Sequence, residues 1–300
     1  MTESGYRCGF VAITGRPNVG KSTLINALVG AKVSIVSSKA QTTRFKTAGI
    51  HTTADAQFIY LDTPGLQYDF KRSLNRRMNS ATAQAIEEAD VILVVVEATH
   101  WTDDDERVLF KCMETMKPIV LAVNKIDKLK PRSKLIPFLD KLQSKAADSA
   151  IVPVSAVTSD NVREIEAVIQ PLLPISIKLC PDGQVFMQDK RMQTAECIRE
   201  KVMHYMKMEI PYSTAVHVTE YTIKNSILHV DATIWVERDG QKAIVIGSNG
   251  SMLKNIGRAA RLDIERANNC KVYLRLHVKT VEHWTDDETA LNNLEMAGEN

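Results

Sequence analysis

The chain has 300 residues, 44% of them apolar and 25% charged, with a formal net charge of +2. This ordinary composition excludes a disordered or low-complexity chain, the length fits about two domains, and the longest apolar runs, such as Val91–Val96, are too short to cross a bilayer. The five cysteines are dispersed without metal-ligand spacing, which predicts reduced thiols in an intracellular protein, and no leader is expected at the N-terminus.

Short apolar runs alternate with longer helical patterns through the first half of the chain. Helical patterns lie at Lys21–Leu28 and Asn75–Ala89. This alternation predicts an α/β domain with a mostly parallel sheet and helices on both faces, and with functional groups at the C-terminal ends of the strands. The predicted strands are Gly9–Thr14, Gln57–Leu61, Val91–Val96, Ile119–Val123 and Ile151–Val154.

The pattern changes near Gln170–Gly183, where three prolines and a glycine interrupt it. We therefore predict a first domain over 1–175, a linker over 176–194, a second domain over 195–282 and a polar acidic tail over 283–300. Periodicity does not decide whether Lys242–Ile246 is helix or strand. The other predicted elements of the second domain are a helix at Ala195–Met208, strands at Ala215–Tyr221 and Leu228–Glu237, a helix at Ser251–Ala267 and a strand at Val272–Val278.

A glycine-rich motif of the form GxxxxGK[ST] follows the first strand and opens the first helix. Its glycines let backbone N–H groups surround phosphates, and the helix N-terminus favours an anion. Lys21 would contact the β- and γ-phosphates, and the Ser22 hydroxyl would bind Mg²⁺. The predicted phosphate-binding residues are Gly15, Arg16, Pro17, Asn18, Val19, Gly20, Lys21 and Ser22.

Two further segments are predicted to sense the γ-phosphate. In Gln41-Thr42-Thr43-Arg44, a threonine would reach Mg²⁺ while the γ-phosphate is present; we prefer Thr43, with Thr42 as the alternative. Asp62 directly follows a strand and would hold Mg²⁺, and Gly65 would offer its N–H to the γ-phosphate. Leu66 stands where Ras-like proteins place a glutamine that orients the attacking water. The intrinsic rate of nucleoside triphosphate hydrolysis is therefore expected to be low. The second segment comprises Asp62, Thr63, Pro64, Gly65 and Leu66.

The segment Asn124-Lys125-Ile126-Asp127 follows the strand at Ile119–Val123 and predicts selection of guanine. A carboxylate at Asp127 can accept hydrogen bonds from the N1–H and amino group of guanine, which adenine cannot satisfy. Lys125 can lie across the base. Ser155 and Ala156 follow the next strand and fit a loop whose backbone contacts the guanine carbonyl.

A second candidate site lies in the C-terminal half. Lys242–Thr280 holds eight basic and two acidic residues, whereas Val281–Asn300 holds six acids and no Lys or Arg. A GxxG loop ahead of a basic helix can bind the backbone of single-stranded RNA. The predicted RNA-binding residues are Gly247, Ser248, Asn249, Gly250, Lys254 and Arg258.

These motifs together resemble the Era family of bacterial GTPases over nearly the whole chain. Cys197–Lys201 and Ile210–Ser213 are similar to that family's inter-domain region. The resemblance implies a type II KH domain with Lys242–Ile246 as a short helix, and binding near the 3′ end of 16S ribosomal RNA. It also implies a role in 30S subunit maturation, a monomer, and a cytoplasmic location with loose inner-membrane association.

The resemblance further implies that Asn18 helps to bind a potassium ion that aids hydrolysis; from the residue alone, its amide could equally stabilise the loop. The predicted catalytic set is Lys21, Thr43, Asp62, Gly65 and Asn18, with Ser22, Thr43 and Asp62 as the Mg²⁺ ligands. Two alternative functions stay open: an RNA-binding assembly factor whose nucleotide site is structural, and a signalling GTPase whose second domain binds protein.

Overall fold

The computed structural model describes residues 5–37, 39, 42–44, 47–65, 72–187, 189–207 and 209–295. Two units emerge from the backbone contacts: Met1–Tyr68 with Arg77–Met187, and Asp69–Arg76 with Gln188–Asn300. Among the described residues, none of the helices is both long enough and apolar enough to cross a membrane.

The described residues of the first unit form a six-stranded sheet in the order β2-β3-β1-β4-β5-β6. All neighbouring strands are parallel except β2 and β3, which are antiparallel. The strands are β1 (Arg7–Thr14), β2 (Thr47–Thr52), β3 (Ala56–Asp62), β4 (Val91–Glu97), β5 (Ile119–Asn124) and β6 (Ala150–Pro153). The helices are α1 (Lys21–Val29), α2 (Ser73–Glu88), α3 (Asp103–Met113), α4 (Leu135–Lys145) and α5 (Val162–Ile169). The first turn of α2, as far as Arg76, is assigned to the second unit.

Alternate residues of the central strands pack into two separate cores, as expected for a sheet covered on both faces. In β4, Leu93 and Val95 join the core with α1 and α5, whereas Ile92 and Val94 join the core with α3 and α4. This packing places the C-terminal ends of β1, β3, β4, β5 and β6 at one edge of the sheet. The predicted phosphate and guanine motifs leave the sheet at that edge.

The second unit packs helices against one face of a three-stranded sheet. β7 (Ala215–Lys224) is antiparallel to β8 (Ile227–Val236), which is parallel to β9 (Lys271–Thr280). The helices of this unit are α6 (Lys190–Tyr205), α7 (Asp239–Ile246), α8 (Ser251–Asn268) and α9 (Glu288–Glu295). The order α6-β7-β8-α7-α8-β9 is that of a type II KH domain, and α7 makes Lys242–Ile246 helical, as the family resemblance implied.

Three features differ from the sequence-based expectations. The strand β2 was not predicted; it is a short strand at the sheet edge that carries only weak hydrophobic alternation. Part of the predicted linker contacts the first unit, because the backbone carbonyl of Val185 accepts a hydrogen bond from the N–H of Ile50. The last part of the predicted linker is helical, since α6 begins at Lys190 and not at Ala195. The predicted polar tail contains α9 and buries Trp284 and Leu291.

Candidate functional site

The backbone of the phosphate-binding loop requires glycine at two positions. Gly15 has φ 150° and Gly20 has φ 101°. A Cβ atom at Gly15 would lie 2.3 Å from the carbonyl oxygen of Val95, and one at Gly20 would lie 2.4 Å from Nδ2 of Asn124. The loop can therefore pass close to the ends of β4 and β5 only because these residues lack side chains.

Lys21 begins α1 and is buried inside this loop. Its ammonium donates to the carbonyl oxygens of Gly15 at 2.8 Å and Arg16 at 3.1 Å. Burial lowers the pKa of Lys21 from 10.5 to about 8, although the nearby Asp62 carboxylate opposes this shift. A phosphate group brought to the loop would supply the counter-charge that favours the protonated amine.

The carboxylate of Asp62, at the end of β3, is the centre of a hydroxyl cluster. Its Oδ2 atom lies 2.5 Å from Ser34 Oγ, 3.1 Å from Thr43 Oγ1 and 3.4 Å from Ser22 Oγ. Its Oδ1 atom is buried and has no hydrogen-bond partner among the described residues. Burial raises the pKa of Asp62 above its ordinary value. The hydrogen bonds from Ser34 and Thr43 and the charge of Lys21 oppose this rise without cancelling it.

These residues fit a magnesium ion. Mg²⁺ prefers hard oxygen ligands and often uses few protein groups together with water and phosphate oxygens. Ser22 and Thr43, whose hydroxyls lie 3.2 Å apart, make such a donor set with Asp62 Oδ2, which both hydroxyls contact. The set depends on hydroxyls, and within the described ranges no cluster of three or more His, Cys, Asp or Glu side chains could hold a metal ion.

The two candidate threonines point to different partners. Thr43 contacts Asp62, whereas Thr42 Oγ1 donates to the carbonyl oxygen of Lys39 at 2.6 Å. Of the residues after Asp62, Thr63 Oγ1 donates to the Ile13 carbonyl oxygen. A Cβ atom at Gly65 would lie 3.2 Å from the Pro17 ring.

The carbonyl oxygen of Pro64 accepts a hydrogen bond from the Thr82 hydroxyl, which ties the segment to α2. Leu66, like Gln41, lies outside the described residues.

Asn124, a predicted GTP-binding residue, joins three loops through its side-chain amide. Its Nδ2 donates to the Val19 carbonyl oxygen at 2.9 Å, and its Oδ1 accepts from the backbone N–H groups of Lys125 at 2.8 Å and Ala156 at 2.9 Å. The side chain is buried at the end of β5. The neighbouring Ile126 is also buried and belongs to the core beneath the loop.

Lys125 adopts a left-handed backbone conformation, with φ 69°, and reaches back to the phosphate-binding loop. Its Nζ donates to the Asn18 carbonyl oxygen at 2.6 Å and to Glu97 Oε2 at 2.8 Å. Burial raises the pKa of Glu97, but the hydrogen bond and charge of Lys125 outweigh it, so the net shift is downward. Glu97 ends β4 and was not predicted, although its strand-end position is the signal that identified the other motifs.

Arg16 contacts Glu97 and also a second carboxylate that was not predicted, Asp105. Arg16 lies 3.0 Å from Asp105 and 3.4 Å from Glu97. Asp105 is fully buried and completes the capping box of α3 with Thr102. The guanidinium of Arg16 therefore braces the loop against β4 and α3.

The carboxylate of Asp127 is exposed and held by Ser155. Ser155 Oγ donates to Asp127 Oδ1 at 2.7 Å and accepts from the Thr158 N–H at 3.2 Å. This arrangement leaves Asp127 Oδ2 for a base. A cleft of 310 Å³ includes Asn18, Ser22, Thr43, Gly65 and Lys125 in its lining, whereas Asp127, Ser155 and Ala156 are not part of that lining.

The GxxG loop of the second unit lies between α7 and α8. Gly247 has φ 73°, Asn249 has φ 51° and Gly250 has φ 74°. A Cβ atom at Gly247 would lie 2.7 Å from Cβ of Met252, whereas one at Gly250 would have no heavy atom within 4 Å. The turn therefore exposes backbone at Gly250 and uses Gly247 for close packing.

An apolar groove with a basic rim begins at this loop. Its volume is 450 Å³. Lys254 and Arg258, two of the predicted RNA-binding residues, line it, with Arg261 beside them. Leu274 and Leu276 come from β9 and were not predicted, because neither belongs to the loop motif. The full lining is Gly250, Leu253, Lys254, Gly257, Arg258, Arg261, Leu274 and Leu276.

Family models match a segment in each half of the chain. Residues 10–125 match the family model described as "50S ribosome-binding GTPase", and residues 209–285 match the model of the KH domain. The GTPase Era of Marinobacter nauticus is 46% identical over 291 residues, covering 97% of this chain and 95% of the relative. The GTPase Era of Haemophilus influenzae is 45% identical over 297 residues, covering 98% of each chain.

Two solved structures are similar over nearly the whole chain. A variant of Aquifex aeolicus Era bound to GDP and aluminium fluoride has a TM-score of 0.93 and 38% identity, covering 96% of this chain and 98% of that one. Era in complex with MgGDPNP and nucleotides 1506–1542 of 16S ribosomal RNA has a TM-score of 0.93 and 37% identity, with the same coverage. The chain is therefore a GTPase with a C-terminal KH domain, and it belongs to the Era family.

Proposed function

We propose that this GTPase is a switch that binds the 3′ end region of 16S ribosomal RNA and assists maturation of the 30S subunit. The observation that carries the proposal is one chain holding both a cleft for guanine nucleotide and phosphates and a basic GxxG groove. A relative with 37% identity was solved with MgGDPNP and a 16S ribosomal RNA fragment, which supports the same pair of ligands here.

In the nucleotide site, Lys21 would balance charge on the β- and γ-phosphates, and Asp127 with Lys125 would select and cover guanine. Ser22, Thr43 and Asp62 would hold Mg²⁺, which supplies positive charge to the phosphates when bound. Water attacks the γ-phosphorus, the bond to the β-phosphate oxygen breaks, and GDP and phosphate leave. Gly65 would direct its N–H toward the γ-phosphate.

Potassium is proposed as a further cation, with Asn18 as its contact. The support is that Asn18 is exposed and lines the cleft. Turnover should be faster in KCl than in NaCl at equal ionic strength. Because Asn18 has φ 65°, Asn18→Gly removes the amide without backbone strain and should abolish the difference. Equal rates in both salts for the unmodified protein would contradict a potassium site.

We also propose the domain bounds predicted from the sequence. Family membership supports a cytoplasmic location and a loose association with the inner membrane. In the KH domain, Gly247, Ser248, Asn249 and Gly250 would contact the RNA backbone, Lys254 and Arg258 would neutralise phosphates, and the leucines would accept bases.

The decisive experiment uses the GxxG loop with a matched control. Gly250→Asp places a carboxylate where phosphate would approach and meets no heavy atom within 4 Å, whereas Gly247→Asp would collide with Met252 and disturb packing. Because Gly250 has φ 74°, a side chain there also strains the backbone, and Gly250→Asn controls for that strain without adding charge. Gly240→Asp is the control, since a Cβ atom there also meets no heavy atom within 4 Å and it lies in the first turn of α7.

Gly250→Asp should weaken filter binding of a 16S 3′-end RNA more than Gly250→Asn does, while Gly240→Asp should not weaken it, and GTP turnover without RNA should be unchanged in all three. RNA binding that survives Gly250→Asp would place the RNA site outside the GxxG loop, whereas an unmodified protein that does not bind the RNA would favour a protein-binding role for the second domain. GTP turnover measured with and without small subunits separates a switch from a purely structural nucleotide site, which would show no turnover in either case.

A further inference from the structure

The residue that contacts the Asp62 carboxylate most closely belongs to none of the nucleotide-binding motifs. Ser34 Oγ lies 2.5 Å from Asp62 Oδ2, closer than either motif hydroxyl. Ser34 is 5% exposed and follows α1 in the chain. Its hydrogen bond is the largest of the influences that lower the pKa of Asp62 against the effect of burial.

Ser34 is held in place by a single side chain of α1. Asn26 Oδ1 accepts from the backbone N–H groups of Val33 and Ser34, each at 2.8 Å, and Asn26 Nδ2 donates to the Ser34 carbonyl oxygen at 2.8 Å. Asn26 lies four residues after Ser22, so both side chains lie on the same side of α1. The helix that supplies Ser22 thus also fixes the backbone of Ser34.

We propose that Ser34 is the positioning residue for the metal-facing carboxylate of Asp62. A carboxylate group turns readily about its last side-chain torsion, which is broad and roughly two-fold. The hydrogen bond from Ser34 to Oδ2 fixes this rotation and keeps Oδ2 beside the hydroxyls of Thr43 and Ser22, which contact the same oxygen at 3.1 and 3.4 Å. Groups of this kind orient ligands around metals, and their loss costs about 10- to 100-fold in metal affinity or activity.

The inference rests on the proposed magnesium site and extends it to the nucleotide cycle. Ser22 and Thr43 would use their hydroxyl oxygens as metal ligands, and Thr43 would leave when the γ-phosphate is lost. Ser34 has no such second role, so it would hold Asp62 in both nucleotide states. Loss of Ser34 should therefore weaken magnesium binding more in the GDP state, where Thr43 no longer supports the carboxylate.

The test measures how Mg²⁺ concentration controls release of a fluorescent GDP analogue and a fluorescent non-hydrolysable GTP analogue. Ser34→Ala should raise the Mg²⁺ midpoint for GDP about 10- to 100-fold, with a smaller rise for the GTP analogue. Ser34→Thr keeps the hydroxyl and should stay near the unmodified value. Ser149→Ala is the control, because Ser149 is similarly buried but precedes β6 at the opposite edge of the sheet.

Each outcome decides the proposal. An unchanged midpoint in folded Ser34→Ala, or an equal rise in Ser34→Thr, would overturn the positioning role. Asn26→Asp provides a second variant if Ser34→Ala unfolds, since it keeps the acceptor for both N–H groups but loses the donor to the Ser34 carbonyl. A raised midpoint in Asn26→Asp supports the role, and an unchanged one opposes it. Mg²⁺-independent release from the unmodified protein would instead contradict the proposed magnesium site itself.

Discussion

Replacing Asn124 by alanine should damage the nucleotide site by removing the hydrogen bonds that join its loops. The side chain satisfies the Val19 carbonyl oxygen and the N–H groups of Lys125 and Ala156, at 2.8–2.9 Å. A buried group left without a partner costs about 1–3 kcal/mol. The three costs do not add fully, because water can enter the space that the amide leaves.

We therefore expect Asn124→Ala to lower the free energy of unfolding by about 2–4 kcal/mol, equivalent to roughly 5–15 °C in the melting temperature of a domain of this size. Affinity should fall by a similar factor for GTP, GDP and inosine triphosphate, because the loops move and the base contact at Asp127 is not removed. Gln143→Ala is the control, since its amide donates only to the exposed carbonyl of Ala147. Calorimetry and nucleotide titration on the full chain measure both effects, and a variant that melts and binds like Gln143→Ala would refute this reasoning.

Three further predictions follow from the charged groups of the first unit. Asp127→Asn should lose GTP affinity and gain affinity for xanthosine triphosphate, whose ring carries an oxygen where guanine has its amino group; unchanged preference in a competition assay would argue against the base-reading role. Because the pKa of Lys21 is lowered to about 8 and phosphate favours its charged form, GTP binding should take up a proton near pH 8. Affinity should then fall by up to about tenfold per pH unit above pH 8, and equal dissociation constants at pH 7 and pH 9 would contradict it. Burial raises the pKa of Glu166, but hydrogen bonds from His51 and Arg163 outweigh this and lower it below 4.5. The ionised Glu166 therefore stabilises the fold above pH 4.5, and this stabilisation is lost as the pH falls through the folded-state pKa. Glu166→Gln cannot ionise at this position, so its melting temperature should change less than that of the unmodified protein as the pH is lowered from 4.5 through that pKa.

Much of the first unit was predictable because its strands are buried on both faces. Runs such as Val91–Val96 have no polar face, and their ends mark where motif loops must begin. The strand β2 lacks this signature because it pairs only with β3 at an edge. The segment around α9 escaped prediction for a different reason: Val281–Asn300 holds six acidic residues, yet Leu291 in α9 and Trp284 just before it are fully buried, and only tertiary packing reveals that.

The site residues also divide into those that a local sequence pattern identifies and those that only the folded chain brings together. Lys21 and Asp62 belong to short motifs whose chemistry explains their spacing, so their placement at one edge of the sheet could be expected. Glu97 could have been found at the end of β4 by the strand-end rule. Ser34 could not, because its contact with Asp62 depends on how Asn26 folds the chain after α1, and no local pattern specifies that turn.

The two halves of the nucleotide site are stabilised by different kinds of contact, and this difference bears on switching. The phosphate-binding loop and the guanine loop are joined through Asn124, and through Lys125 and Glu97, by hydrogen bonds that need no ligand. This part is therefore organised before nucleotide arrives, which reduces the cost of ordering it on binding. Thr43, in contrast, is connected to the site through hydroxyl contacts with Ser22 and Asp62 that a metal ion would compete for. A change of nucleotide should consequently alter the contacts of Thr43 first. It should alter the guanine loop least, because the protein itself supplies the hydrogen-bond partners of that loop.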